Sequence, residues 1–412
     1  MRWQLGLPLK LLILRSKSIT NSNFSSWPSY SEEEINSVCS VLQSNKVNYW
    51  TGTQCKDFES EFSNWAGVQY SIAMSNGTVA LEAALRSLKI GPGDEVIVTP
   101  RSFIASISCI INVGATPVFS DVDLISGNIS ADHVNQVITE STKAIICVHL
   151  GGWPCDMDPL VSLAKKHELY IIEDCSQAHG ASYKGKSVGS IGDIGTWSFC
   201  QDKIMTTGGE GGMVTTNNHK LWKKMWSYKD HGKNFNTVMS SKNEATNQFK
   251  WLHESFGTNF RMTEMQAAIG RIQLRRMKEW NQIRTKNAQK ILEVCADFPT
   301  IIRAENPVSP IKHAWYKCYV YLRLNGLKSN WDRSKILDLF NEYKVPCFSG
   351  SCSEVYLEKA FDNTGFRPKK SLTNAKELGE TSLMFLVHPT LQKQELSKTC
   401  SSIKSILSEA RL

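Results

Sequence analysis

Four short apolar runs, EVIVTP, TPVFSDVD, AIICVHL and LYIIEDC, constrain this chain more than any other feature. Each has the length of a strand, is bounded by turn residues, and three are apolar on both faces. A strand apolar on both faces must be covered on both, which is the situation of a mostly parallel sheet between layers of helix. The stretches FIASISCIINVG and DPLVSLAKKHE fall between the runs and supply the crossovers. The expected fold class is α/β, a three-layer domain around a mostly parallel sheet.

The flanking segments extend this frame. SEEEINSVCSVLQSN reads as a helix with Ser31 as N-cap, acids in its first turn, and Ile35, Val38, Val41 and Leu42 as its apolar face. KDFESEFSNWAG and TVALEAALRSL read as two more helices, the latter ending at the GPGDE turn. RMTEMQAAIGRIQLRRMKEWNQIRTKNAQKILEVCADF reads as one long helix or two in line. A smaller α+β part follows, with a strand at YKCYVYLRL and helices at SKILDLFNEY and ELSKTCSSIKSILSEA. The organisation expected is a poorly ordered leader at 1–26, a large domain at 27–290 and a small C-terminal domain at 291–412.

Composition removes several function classes. The net charge is +8, from 47 basic and 39 acidic residues, and part of the excess sits in the leader (Arg2, Lys10, Arg15, Lys17). No basic run marks a nucleic-acid footprint, whereas a mild basic balance suits an anionic substrate. The twelve cysteines form no CxxC pair, and Cys109 and Cys147 lie in apolar runs. This is the pattern of reduced, buried thiols in a cytoplasmic protein. Cys347 and Cys352 have no further ligand at metal spacing, so no metal is expected. The apolar start MRWQLGLPLKLLILR is broken by Pro8 and Lys10 and falls short of the about 20 residues a spanning helix needs. No small-residue cleavage site clearly follows it. A signal peptide is thus weakly supported, an unstructured leader or a start codon placed too early explains the stretch as well, and no association with a membrane is expected.

Four segments carry chemistry. In SNGTVALEAAL the pair Gly77–Thr78 opens a helix, and N–H groups at a helix start with a threonine hydroxyl form an anion site; alone, this is also an ordinary cap. In IIEDCSQAHGASYKG a buried strand ends at Asp174, where ligands of parallel sheets bind; alone, Asp174 is as well a surface acid. In GTWSFCQDKIMTTGGEGGMVTT, Lys203 follows an aromatic-rich strand, with Ser198 five residues before it and Gly208, Gly209, Gly211 and Gly212 after it. A partly desolvated lysine amine is a good imine former, and the glycines permit a tight backbone close to a ligand. In FGTNFRMTEMQAAIG, Asn259 and Arg261 lead into a helix through Thr263 and Glu264. Taken together the order matters: an anion site, an acid at a strand end, then Ser-x4-Lys. Pyridoxal 5'-phosphate needs a phosphate cup, an acid for its pyridine nitrogen and an imine-forming lysine, and all three are present.

From about residue 27 to the C-terminus the chain resembles the DegT/StrS-type sugar aminotransferases, fold type I pyridoxal-phosphate enzymes of the aspartate aminotransferase-like architecture. The stretches that carry the likeness are SNGTVAL, GDEVIVTPRSFIAS, GATPVFSDVD, EDCSQAHGASYKG, GDIGTWSFCQDKIMTTGGEGGMVTT and GTNFRMTEMQAAIG. The resemblance implies Lys203 as the Schiff-base lysine, Asp174 as partner of the pyridine nitrogen and Gln177 as donor to the phenolic oxygen. It implies Gly77, Thr78 and Ser198 as phosphate ligands and Phe103 as the ring-stacking aromatic. It implies Asn259 as a residue reaching the phosphate of a neighbouring subunit, and hence a homodimer. Ser176 stands where many relatives carry alanine, and VPCFSGSCSEVYLEKAF departs from the His-Tyr-Pro-like stretch of the sugar-binding loop.

The activity so implied is ping-pong transfer of an amino group from an amino acid, L-glutamate, to a nucleotide-linked keto sugar. The first acceptor is a 4-keto-6-deoxy sugar and the second a 3-keto sugar. The pathway implied is that of amino sugars in surface polysaccharides. A sugar dehydratase on the same scaffold would carry histidine in place of Lys203, and a non-catalytic regulator would have lost Lys203 or Asp174.

Overall fold

The computed structural model describes residues 24–241 and 252–412. Its strands run in chain order β1 (Tyr70–Met74), β2 (Glu95–Val98), β3 (Thr116–Phe119), β4 (Thr142–Val148), β5 (Tyr170–Asp174), β6 (Ser182–Tyr183) and β7 (Lys186–Ser187). There follow β8 (Ile194–Ser198), β9 (Gly212–Thr216), β10 (Ile302–Arg303), β11 (Ile311–Lys312), β12 (Cys318–Leu322), β13 (Cys347–Phe348) and β14 (Ser382–Phe385). Seven form the main sheet in the order β1-β9-β8-β5-β4-β2-β3. The pairs β2–β3, β2–β4, β4–β5 and β5–β8 are parallel, and β9 runs against both its neighbours.

The doubly apolar runs are explained by their neighbours. Val96, Val98, Ile146 and Ile172 face the helices Gly77–Ser87, Ala105–Asn112 and His219–Lys229. The alternate residues Ile97, Ile145, Cys147 and Ile171 face the helix Met157–Lys166 on the other side. Successive side chains of a strand point to opposite faces, so both sets are buried and the sheet becomes the middle layer of three.

The helix Glu32–Gln43 has the Ser31–Glu34 capping box, but its buried side differs from the one its apolar spacing suggests. Ile35 and Leu42 are 47% and 50% exposed, while Glu34 and Val41 are buried. Polar ties decide the orientation: Glu34 accepts from Arg276 Nη1 at 3.0 Å and from Gln273 Nε2 at 2.8 Å. Those partners belong to a single helix, Glu264–Ala296, which is 33 residues long and begins at the Thr263–Gln266 capping box. Its Glu264 carboxylate accepts from Gln54 and Cys55 N–H and so caps the helix Gln54–Ala66.

A second sheet, β10-β12-β14-β13, is antiparallel. It packs Val320, Leu383 and Phe385 against Ile336, Phe340, Ile403 and Leu407. The expected boundary at 290/291 falls inside the long helix, whose Met277 packs with the main-sheet residues and whose Ile291 packs with the second cluster. Most of the leader, residues 1–23, lies outside the described residues. Residues 24–26 are placed rather than loose: Phe24 packs on the second cluster, Ser25 N–H donates to Glu395, and Ser26 O accepts from Thr390 Oγ1. Among the described residues no helix is long and apolar enough to cross a membrane.

Candidate active site

A cleft of about 1150 Å³ opens at the carboxyl ends of the parallel strands, against the second sheet. Such an edge exposes loop N–H groups and strand-end side chains together. Gly77, Thr78, Phe103, Asp174, Gln177, Ser198 and Lys203 all line it. Asp174 and Ser198 are the last residues of β5 and β8, and the others come from the loop or helix start beyond β1, β2, β5 or β8.

At one end, Asn76 caps the helix Gly77–Ser87 through Val79 N–H, 3.0 Å. The N–H groups of Gly77 and Thr78 have no partner among the described residues, as expected of a first helical turn. A Cβ on Gly77 would lie 2.7 Å from Ser198 Cβ, so glycine there lets the helix start meet the Ser198 hydroxyl. Gly208 and Gly209 have φ of +86° and +122°. The glycines after Lys203 do not line the cleft, however; a Cβ on Gly212 would lie 2.3 Å from Asn76 O. The tight backbone expected beside a ligand serves instead to seat the chain against the helix start.

At the other end, Asp174 Oδ2 accepts from Ser106 Oγ at 2.7 Å and Oδ1 from Ser176 N–H at 3.1 Å. Ser176 is thus usable because its backbone, not its side chain, serves the acid. Gln177 Oε1 accepts from Gly151 N–H at 2.8 Å, which leaves Nε2 as a free donor. Phe103 stands at the mouth, 67% exposed, an apolar ring with one face open to a flat partner. Lys203 Nζ lies 5.4 Å from the Tyr316 ring centroid, and Lys203 O is held by Trp27 Nε1 at 2.8 Å. His179, beneath the lysine, is fully buried against Trp197 and Phe199. Burial and the Lys203 and Arg284 charges push it down to about 3, so it is neutral.

These features fit pyridoxal phosphate. Unpartnered N–H groups and two hydroxyls suit its phosphate, a fixed carboxylate suits its ring nitrogen, and a free amide donor and a free amine lie between.

Asn259 is not in this cleft. It is exposed, bridges Asp230, and its Oδ1 accepts from Arg261 N–H at 3.3 Å. Several lining residues were not singled out from sequence: Ser102, Ser106, Asp202, Tyr316, Lys317, Tyr319, Met384 and Leu386. The run WYKC ahead of a strand was the available signal for two of them. The departing loop does line the cleft, through Phe348, Gly350, Ser351, Cys352, Val355 and Glu358.

His149, Glu173 and Cys175 offer ligand atoms within 4.8 Å of one another, yet their bonds are spent. His149 Nδ1 accepts from Cys155 N–H, so Nε2 carries the proton and donates to Glu173 at 3.0 Å. Glu173 also accepts from Gly189, Ile191 and Gly192 N–H, which fills the roughly four acceptor sites of a carboxylate.

Residues 28–404 match the model of the DegT/DnrJ/EryC1/StrS aminotransferase family. A GDP-perosamine synthase of Escherichia coli O157:H7 is 42% identical over 93% of this chain and 98% of its own length. A dTDP-3-amino-3,4,6-trideoxy-alpha-D-glucose transaminase of Streptomyces venezuelae is 32% identical over 89% and 90%. An aminotransferase from Psychrobacter cryohalolentis, known from its X-ray structure, superposes with a TM-score of 0.92 at 59% identity, covering 94% of this chain and 99% of its own.

Proposed function

As this chain belongs to the DegT/DnrJ/EryC1/StrS aminotransferase family, a family of pyridoxal-phosphate transaminases, we propose that it moves an amino group from L-glutamate to a nucleotide-linked 4-keto-6-deoxy sugar. The observation that carries the reading is the convergence of Thr78, Ser198, Asp174, Gln177 and Lys203 on one cleft. The nearly whole-length likeness to a GDP-perosamine synthase supports the 4-keto acceptor. The 3-amino sugar in the name of the Streptomyces relative supports a 3-keto acceptor as the second reading.

When bound, pyridoxal phosphate supplies an electron sink for the bonds at the donor's α-carbon. In our reading the Gly77 and Thr78 N–H groups and the Thr78 and Ser198 hydroxyls bind its phosphate. Asp174 holds a proton at the pyridine nitrogen, oriented by Ser106. Gln177 Nε2 donates to the phenolic oxygen, and Phe103 covers the ring and excludes water. Lys203 Nζ would hold the cofactor and would move the proton at the donor's α-carbon.

The same reading makes the active unit a homodimer in which Asn259 serves the partner's phosphate. Its exposure and its absence from the lining of its own cleft support this. A phosphate monoester carries about −1.5 to −2 charge at pH 7, and the donors in this chain approach from one side. Exchange between a Lys203→Ala chain and an Asn259→Trp chain should restore one intact site per heterodimer. No recovery, with exchange verified by mass, or a fully active monomer in sedimentation, counts against it. The acceptor is tested by incubating the holoenzyme with glutamate and a panel of nucleotide keto sugars and reading products by mass; no aminated product from any 4-keto sugar rejects the first reading.

A further inference from the structure

Two of the side chains lining the cleft are cationic, Lys203 and Lys317, and only the first has a role in the reading above. Lys317 stands just before β12, half-buried, with Nζ 4.8 Å from the Tyr316 ring centroid. Lys203 Nζ lies 5.4 Å from the same centroid. Tyr316 is fixed between them: its hydroxyl donates to Asp202 and its N–H donates to Gly151 O at 2.9 Å. Among the described residues Lys317 Nζ makes no ion pair or hydrogen bond.

The surroundings add to its charge rather than cancel it. Arg284 is fully buried, with Nη1 on the Trp315 and Tyr316 carbonyls and Nε and Nη2 unpartnered. His179 and His388, both pushed down to about 3 with burial the main cause, are neutral and leave that charge balance unchanged. Asp202 is the one carboxylate acting on Lys317, and it is engaged by Tyr316. Immediately around Lys317 the cations Arg284 and Lys203 face Asp202 alone, and such a place recruits anions.

The place of the ammonium selects which anion. It and Lys203, the lysine that serves the reacting carbon, are set beside one and the same ring. An amino-acid donor carries its α-carboxylate on that carbon. A nucleotide keto sugar carries hydroxyls around its reacting carbon and its diphosphate on the far side of the sugar ring. We propose that Lys317 is the residue that recognises the donor, pairing its ammonium with the amino acid's carboxylate; this rests on the aminotransferase reading above.

The protonation of Lys317 suits a cleft that must admit two unlike molecules in turn. Burial, with Arg284 and Lys203, lowers it to about 8 against the opposing pull of Asp202. It is charged for a carboxylate near neutrality, and more easily neutral than an ordinary lysine when an uncharged sugar edge takes that place.

The test uses the holoenzyme, with glutarate as an unreactive dicarboxylate and tryptophan fluorescence as the binding signal. Lys317→Gln should weaken glutarate binding and raise the KM for L-glutamate by about 10- to 100-fold, the scale of one lost charge-assisted hydrogen bond. The KM for the keto sugar in the second half-reaction should move much less, and Lys317→Arg should recover most of the loss. Wild-type affinity should fall as pH rises through about 8 and be flat in Lys317→Gln. Unchanged glutarate affinity in Lys317→Gln, no glutarate binding to the wild type, or a rise confined to the keto-sugar KM overturns the proposal. Failure of the wild type to react with any amino acid overturns instead the reading beneath it.

Discussion

The two walls of the cleft are built differently. On the main-sheet wall the polar side chains are pinned: Asp174 by Ser106 and Ser176, Gln177 by Gly151, and the helix start by Asn76. On the opposite wall Lys317 has a charged head without an ion pair, Met384 and Leu386 are apolar, and the 348–352 loop is tied through Ser351 and Tyr319. A prearranged wall is what a permanently held cofactor needs, since fixed donors need no reorganisation during reaction. A wall with spare capacity is what alternating substrates need. The difference suggests that chemistry resides on the first wall and selectivity on the second.

The sharpest way to break this contrast is Lys203→Ala. Transamination should fall by more than roughly 10⁴-fold, beyond the about 10²- to 10⁴-fold that one general base ordinarily contributes, and a stopped assay by mass would reveal any residual turnover. A comparable rate in this variant would move the chemistry elsewhere.

Asp174→Asn comes next, with an expected loss of roughly 10²- to 10³-fold. An amide cannot hold the ring nitrogen protonated, and each pKa unit lost is about 1.4 kcal/mol. Circular dichroism should show an intact fold; near-native turnover would remove Asp174 from the site.

Its neighbour supplies a control within one strand. Glu173 faces away from the cleft, and Glu173→Gln leaves a buried donor unmatched, so stability should drop by about 1–3 kcal/mol while turnover per folded molecule barely changes. Burial raises the Glu173 carboxyl, but His149 and the Gly189 and Gly192 N–H groups outweigh it and hold the group below the usual range. Its stabilisation is therefore full above the unfolded glutamate pKa of about 4.3, and is lost as pH falls through the lower folded value. Acid denaturation curves of the two proteins should converge at low pH; parallel curves would contradict this.

The smallest effect belongs to Ser106→Ala. One hydrogen bond to Asp174 is lost, worth about 0.5–1.5 kcal/mol, so turnover should fall by roughly 2- to 10-fold. No change would show that Ser176 N–H alone orients the acid.

What was legible in the sequence follows the same division. Strands apolar on both faces announced the three layers because their period is local. Thr78, Asp174, Ser198 and Lys203 were legible because each sits within a few residues of a strand end whose turn chemistry is written nearby, whereas Gln177 was implied only by the family resemblance. Met384 and Leu386 were not, because nothing around them in the chain distinguishes them from the core of a second sheet, and Tyr316 and Lys317 had only the run WYKC ahead of a strand. They face the cleft because that sheet docks on the carboxyl edge of the first. The exposed Ile35 and buried Glu34 teach the same point: helical spacing proposes a face, and the partner's arginine and glutamine decide it. Local period and turn geometry travel with the sequence, but the pairing of charges more than 200 residues apart exists only once the layers have closed.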